Sequence, residues 1–86
     1  MPEHAISKRY FFDITNGDGF VADDTGLVLN EKSKVEEEAT MILADIARDE
    51  LPGKPEGNAI VDVRDEKGER VYSAALQFQK RWISAY

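Results

Sequence analysis

Along residues 8–14, KRYFFDI, Tyr10, Phe12 and Ile14 fall on one side of an extended chain and Arg9, Phe11 and Asp13 on the other. That is the period-two signature of a half-buried strand. Only Phe11 interrupts the polar row. In the following TNGDG, Asn16-Gly17 predicts a hairpin turn, because both residues tolerate positive φ. FVADDTGLVLN then reads as a short strand, a turn at Asp24-Thr25-Gly26 and an extended run from Leu27 to Leu29. The pattern leaves open whether this is one interrupted strand or two.

The period changes at Ser33. Val35, Ala39, Ile42, Leu43 and Ile46 recur at helical spacing, and Lys34, Glu37, Glu38, Asp45, Arg48 and Asp49 occupy mainly the remaining surface. Ser33 and Glu36 have the spacing of a capping box, and Glu36, Glu37 and Glu38 suit the positive end of a helix dipole. The prediction is a helix from Ser33 to Leu51, ended by Pro52, with Gly53 and Gly57 redirecting the chain. Ala59 to Asp65 and Val71 to Phe78 then form a second hairpin around DEKGE, with Gly68 in the left-handed position. Ala59, Val61 and Val63 make one apolar row, and Tyr72, Ala74, Leu76 and Phe78 another.

Hairpin, helix, hairpin is the order of an α+β two-layer sandwich: a mainly antiparallel sheet of about four strands with one helix on one face. One domain over 9–79 is expected, with a lead-in at 1–8 and a C-terminal tail at 80–86. The same alternation places Phe11, Ile60, Val71 and Ala75 on the face away from the helix. Together they would form an apolar patch on a charged surface, the kind of patch that serves self-association or a protein partner.

Composition narrows the chemistry. The chain has no cysteine and one histidine, His4, in the lead-in. Disulfides, thiolate zinc sites and the usual nucleophile–base arrangements are therefore not expected. The net charge of −6 opposes bulk binding to a phosphate backbone. Lys8-Arg9 and Lys80-Arg81-Trp82 could still form one small basic patch if the first and last strands are neighbours. No apolar stretch approaches the roughly 20 residues of a membrane span, so the expectation is a cytoplasmic protein with no membrane association.

Asn16-Gly17-Asp18-Gly19 imitates the middle of a calcium loop, but Ile14 and Thr25 stand where that loop needs its first and last carboxylates. A turn is the better reading. Asp18, Asp23 and Asp24 remain candidates for a weak surface metal site, with solvated turn carboxylates as the plainer account. The carboxylate neighbours Asp23-Asp24 and Asp49-Glu50 lie in a turn and at a helix end, without an apolar pocket to raise a pKa. No catalytic residue, resident metal or cofactor is expected.

Several strings taken together resemble a family of small bacterial proteins described as a domain of unknown function. They are RYFFD at 9–13, DG at 18–19, D-x-x-G at Asp23 and Gly26, Glu38-Ala39 and ARDELP at 47–52. V-x-V-x-D-x-x-G-x-x-V from Val61 to Val71 and L-x-F at Leu76 and Phe78 complete the pattern. The resemblance implies a fold and no activity. A looser similarity, at the level of fold, is to HicB-type antitoxins, in which a hairpin with a DG turn precedes a helix bearing Glu-Ala. Unlike those antitoxins, this sequence has no separate DNA-binding segment after residue 78. The expectation is a small non-catalytic protein-interaction module, self-associating through the open sheet face or a strand edge. The alternatives are a HicB-like regulator of a small toxin partner and a weak carboxylate metal-binding protein.

Overall fold

The computed structural model describes residues 7–84; His4 lies outside them. Six elements follow in order: β1 (Lys8–Asn16), β2 (Gly19–Val21), β3 (Leu27–Leu29), α1 (Lys32–Glu50), β4 (Glu56–Arg64) and β5 (Arg70–Gln79). The sheet is antiparallel and five-stranded, in the order β2-β1-β4-β5, with β3 also on β1. The expected two-layer α+β sandwich is what forms, with β1 starting one residue inside the expected lead-in. The FVADDTGLVLN segment is two strands rather than one. Leu27–Leu29 pairs with Lys8, Arg9 and Tyr10, and Gly19–Val21 pairs with Ile14, Thr15 and Asn16, both on the same edge of β1.

The core lies between the sheet and α1. Phe12, Val35, Ala39, Leu43, Ala59, Val61 and Val63 are buried together, and Tyr10, Ile14, Leu29, Ile42, Ile46, Tyr72, Ala74 and Leu76 pack around them. Period two on the strands and the i, i+4, i+8 spacing of Val35, Ala39 and Leu43 therefore meet as the sequence pattern requires. Leu51 is buried just after the helix. Its side chain lies where a β-carbon on Gly57 would fall, 2.6 Å from Cδ2, so any larger residue there would have to displace the Leu51 side chain.

The helix begins differently from the expectation. Its N-cap is Glu31, with extended backbone (φ −145°, ψ 143°) and no side-chain cap, and Ser33 is a helical residue whose Oγ donates to Glu31 Oε1 at 3.1 Å. The Glu31 carbonyl accepts the N–H groups of Lys34 and Val35. No acid lies in the first turn, so the dipole is not offset there. What fixes the start is burial: Val35 has to reach the core within the first helical turn, which draws the chain into helix before Ser33.

Both hairpins close near the expected places. At the first, Asp18 N–H donates to Asn16 Oδ1 at 2.8 Å, Asn16 pairs with Gly19, and the positive φ falls on Gly19 (128°) rather than on Asn16. At the second, Gly68 (φ 85°) takes the left-handed position, and Asp65 Oδ1 accepts the N–H groups of Lys67 and Glu69. No helix among the described residues is long and apolar enough to cross a membrane.

Candidate interaction surface

The face away from α1 is organised in rows that cross the strands, because directly paired residues project to the same side. Its most ordered feature is polar. Between the stretches of β1 that pair with β3 and β2, the excursion at 22–26 leaves Phe12 N–H without a strand partner, and Asp23 Oδ2 accepts it at 3.0 Å. The other oxygen, Asp23 Oδ1, accepts the N–H groups of Thr25 and Gly26, both at 3.0 Å. Asp23 N–H donates in turn to Asp13 Oδ1 at 2.9 Å.

Arg64, paired across from Phe11, completes the clasp. Its Nε donates to Asp13 Oδ2 at 2.6 Å, and one terminal nitrogen donates to Asp13 Oδ1 at 3.1 Å and to the Asp23 carbonyl at 2.8 Å. The guanidinium also lies over the Phe11 ring, 4.8 Å from its centroid. Gly26 closes the excursion with φ 75°; a β-carbon there would come within 2.9 Å of Phe11 Cε2 and of the Tyr10 carbonyl oxygen.

The clasp sets the charge state of its acids. Hydrogen bonding from Arg64 holds the Asp13 carboxyl below its ordinary pKa, against the opposing effect of burial. For Asp23, burial pushes upward, but the N–H groups of Gly26, Phe12 and Thr25, with the charge of Arg64, outweigh it and leave this carboxyl also below the ordinary value. The Asp13 carboxylate raises the Arg64 pKa. The clasp ties the 22–26 excursion to β1 and β4 at this edge.

The four residues expected to form a patch are not brought together. Phe11 is half-buried beneath Arg64. Ile60 lies four residues along β4 from Arg64, about 13 Å away at the strand rise. Between them runs a polar row, Asp13–Asp62–Ser73, in which Asp62 Oδ1 accepts Ser73 Oγ at 2.8 Å and Arg70 at 3.2 Å. Val71 does not pair into these rows. A register shift beside Val63/Arg64 leaves it without a β4 partner, and it lines a cleft with Tyr10, Val35 and Tyr72 on the helix side. Simple alternation could not have shown this bulge.

A different apolar row takes the patch's place. Phe20 pairs with Thr15, Thr15 with Ile60, and Ile60 with Ala75, so the four form one stripe across β2, β1, β4 and β5. Phe20 is 63% exposed and Ile60 37%. The stripe spans three strand spacings, about 14 Å. On one side lies the Asp13–Asp62–Ser73 row, its carboxylates balanced by Arg64 and Arg70; on the other, Asn58 faces Gln77. Alternation within β1 does not reach Phe20, whose place depends on the hairpin register. A two-residue Gly17-Asp18 loop places it opposite Thr15.

The basic pairs do not meet. β1 and β5 run the same way on either side of β4, which puts Lys8-Arg9 and Lys80-Arg81 at opposite ends of the sheet. Lys80 is tied to the loop after α1: its Nζ donates to the Pro52 carbonyl at 2.7 Å and its N–H to the Pro55 carbonyl at 2.8 Å. With Lys54, Arg81 and Trp82 it lines an open groove there. Among the described residues no cluster of acids and histidines is arranged to hold a metal ion, and both Asp23 carboxylate oxygens already serve its own loop.

A protein-family model covers residues 9–77, which takes in the helix and all five strands except the first residue of β1 and the last two of β5, and the chain belongs to that family, DUF6894, a domain of unknown function. No curated protein and no solved structure was found to match it. The family and the fold define a small α+β domain and bring no activity with them.

Proposed function

We propose that this chain is a small non-catalytic protein-interaction module that self-associates through the open face of its sheet. The observation that carries the reading is the Phe20–Thr15–Ile60–Ala75 stripe, exposed between two polar rows on the face away from α1. A two-fold axis laid along the stripe stacks it on itself. The same axis sets the Asp13–Asp62–Ser73 row of one copy over the Asn58–Gln77 row of the other, so Asp62 meets the Asn58 amide and Ser73 the Gln77 amide, and no carboxylate faces a carboxylate. The complementary rows favour a second copy over an unrelated partner. A cysteine-free chain suits a cytoplasmic setting.

Light scattering at increasing concentration tests the reading. Phe20→Ser removes an apolar side chain worth about 1.5–3 kcal/mol when buried, at two symmetric positions, and should weaken association by at least about tenfold. Phe11→Ser should leave association unchanged, because Phe11 is occupied by Arg64. Association unaffected by Phe20→Ser and Ile60→Thr would remove the proposal. The order of hairpin, DG turn and Glu38-Ala39 helix supports a second reading, a HicB-like regulator that neutralises a small toxin partner. A small basic toxin encoded beside the gene would favour it; consistent absence of one would dismiss it.

A further inference from the structure

The two edges of the sheet are unequal. The β1 side is finished by two three-residue strands separated by the Asp23 excursion, which breaks the row of free backbone groups. The other edge is β5, Arg70–Gln79, which pairs only with β4. Its bulge lies at Val71, and from Tyr72 to Gln79 it contains no bulge, charged residue or proline, devices by which natural proteins protect an edge. Its helix-side row, Tyr72, Ala74, Leu76 and Phe78, is only half-buried, although the first three pack on the core.

We infer that β5 pairs antiparallel with β5 of a second copy about a two-fold axis at Ala75, a second interface beside the face-to-face one. The inference rests on the reading of the sheet as the interaction surface. In this register Tyr72 faces Phe78, Ala74 faces Leu76, and Ser73 faces Gln77, pairs that match apolar with apolar and polar with polar. Arg70, held by Asp62, and Lys80, held by the Pro52 carbonyl, bracket the paired stretch and set its length. A second β5 is the fitting occupant because the chain's other edge is too short and interrupted to receive β5, so copies cannot add head to tail into a filament. At the axis Ala75 meets Ala75, joining two stripes into one across eight strands. The stacking axis and the edge axis are perpendicular and together close a four-chain assembly of two stacked sheets with helices outside.

The chain has no cysteine, so Val21→Cys, at a position 62% exposed on β2, carries a single spin label. Pulsed dipolar spectroscopy then reads the two interfaces separately. Edge pairing places the labelled backbones seven strand spacings apart, about 34 Å, whereas stacking places them about 10 Å apart. The inference expects the long distance at high micromolar concentration, and expects it to persist when Phe20→Ser removes the short one. A short distance alone overturns edge pairing and leaves the face reading standing. A long distance alone supports edge pairing and counts against stacking. The absence of both overturns both.

Discussion

Replacing Asp23 by alanine removes the acceptor of three backbone N–H groups while leaving the Arg64–Asp13 pair in place. The costly one is Phe12. Its N–H lies where β1 has no strand partner on that edge, beside the buried Phe12 ring, and leaving such a donor unsatisfied costs about 1–3 kcal/mol. Thr25 and Gly26 lie nearer solvent, and water replaces most of what they lose, so the two together add about 1 kcal/mol. The expected loss is about 2–4 kcal/mol, a large share of the typical 5–15 kcal/mol for a domain. At this size that lowers the melting temperature by on the order of 10–30 °C. Urea titration followed by circular dichroism gives the stability. Hydrogen exchange at the Phe12 amide shows whether the loss is local to that donor. Asp23→Asn keeps one carbonyl oxygen and should fall between wild type and alanine. A loss below about 0.5 kcal/mol, with the Phe12 amide still protected, would refute the clasp as the organiser of this edge.

Other outcomes follow from the same geometry. Gly26→Ala forces a β-carbon against Phe11 and the Tyr10 carbonyl at φ 75°, and should destabilise by about 1–3 kcal/mol in thermal melts. Asp13 and Asp23 have folded pKa values below their unfolded value of about 3.9, so as pH falls the unfolded chain takes up protons first. The stability they contribute is complete above about pH 5 and disappears as pH falls through the folded values; urea midpoints should show that decline, and Asp13→Asn should flatten it. Ser33→Ala should change the stability from urea titration by less than about 0.5 kcal/mol, because Ser33 caps nothing, whereas a true cap would cost about 1 kcal/mol.

The fold was legible because its signals are local and redundant. Period two at Tyr10, Phe12 and Ile14, helical spacing at Val35, Ala39 and Leu43, and turn residues at Asn16 and Gly68 each specify an element without reference to the others. The outer-face stripe was less legible because it depends on register. Alternation alone puts Ile60 and Ala75 on one face, where they pair, but Phe20 joins their row only once the hairpin loop is fixed, and Val71 falls at a bulge that alternation does not encode. Phe11 stood out in the sequence as an apolar residue in a polar row. Its explanation, the Arg64 guanidinium above the ring, comes from a residue 53 positions away in the chain. The Asp23 clasp was visible as a D-x-x-G string, but its role required knowing that β2 and β3 share one edge of β1.

The most direct test of the account is an isotope-filtered NMR experiment on a mixture of labelled and unlabelled chains, which reports only contacts between copies. The account predicts intermolecular contacts from the side chains of Phe20, Thr15, Ile60 and Ala75, and none from the exposed Met41 on α1. A concentrated sample that remains a 9.7 kDa monomer, or one whose contacts come from the helix instead, would contradict it.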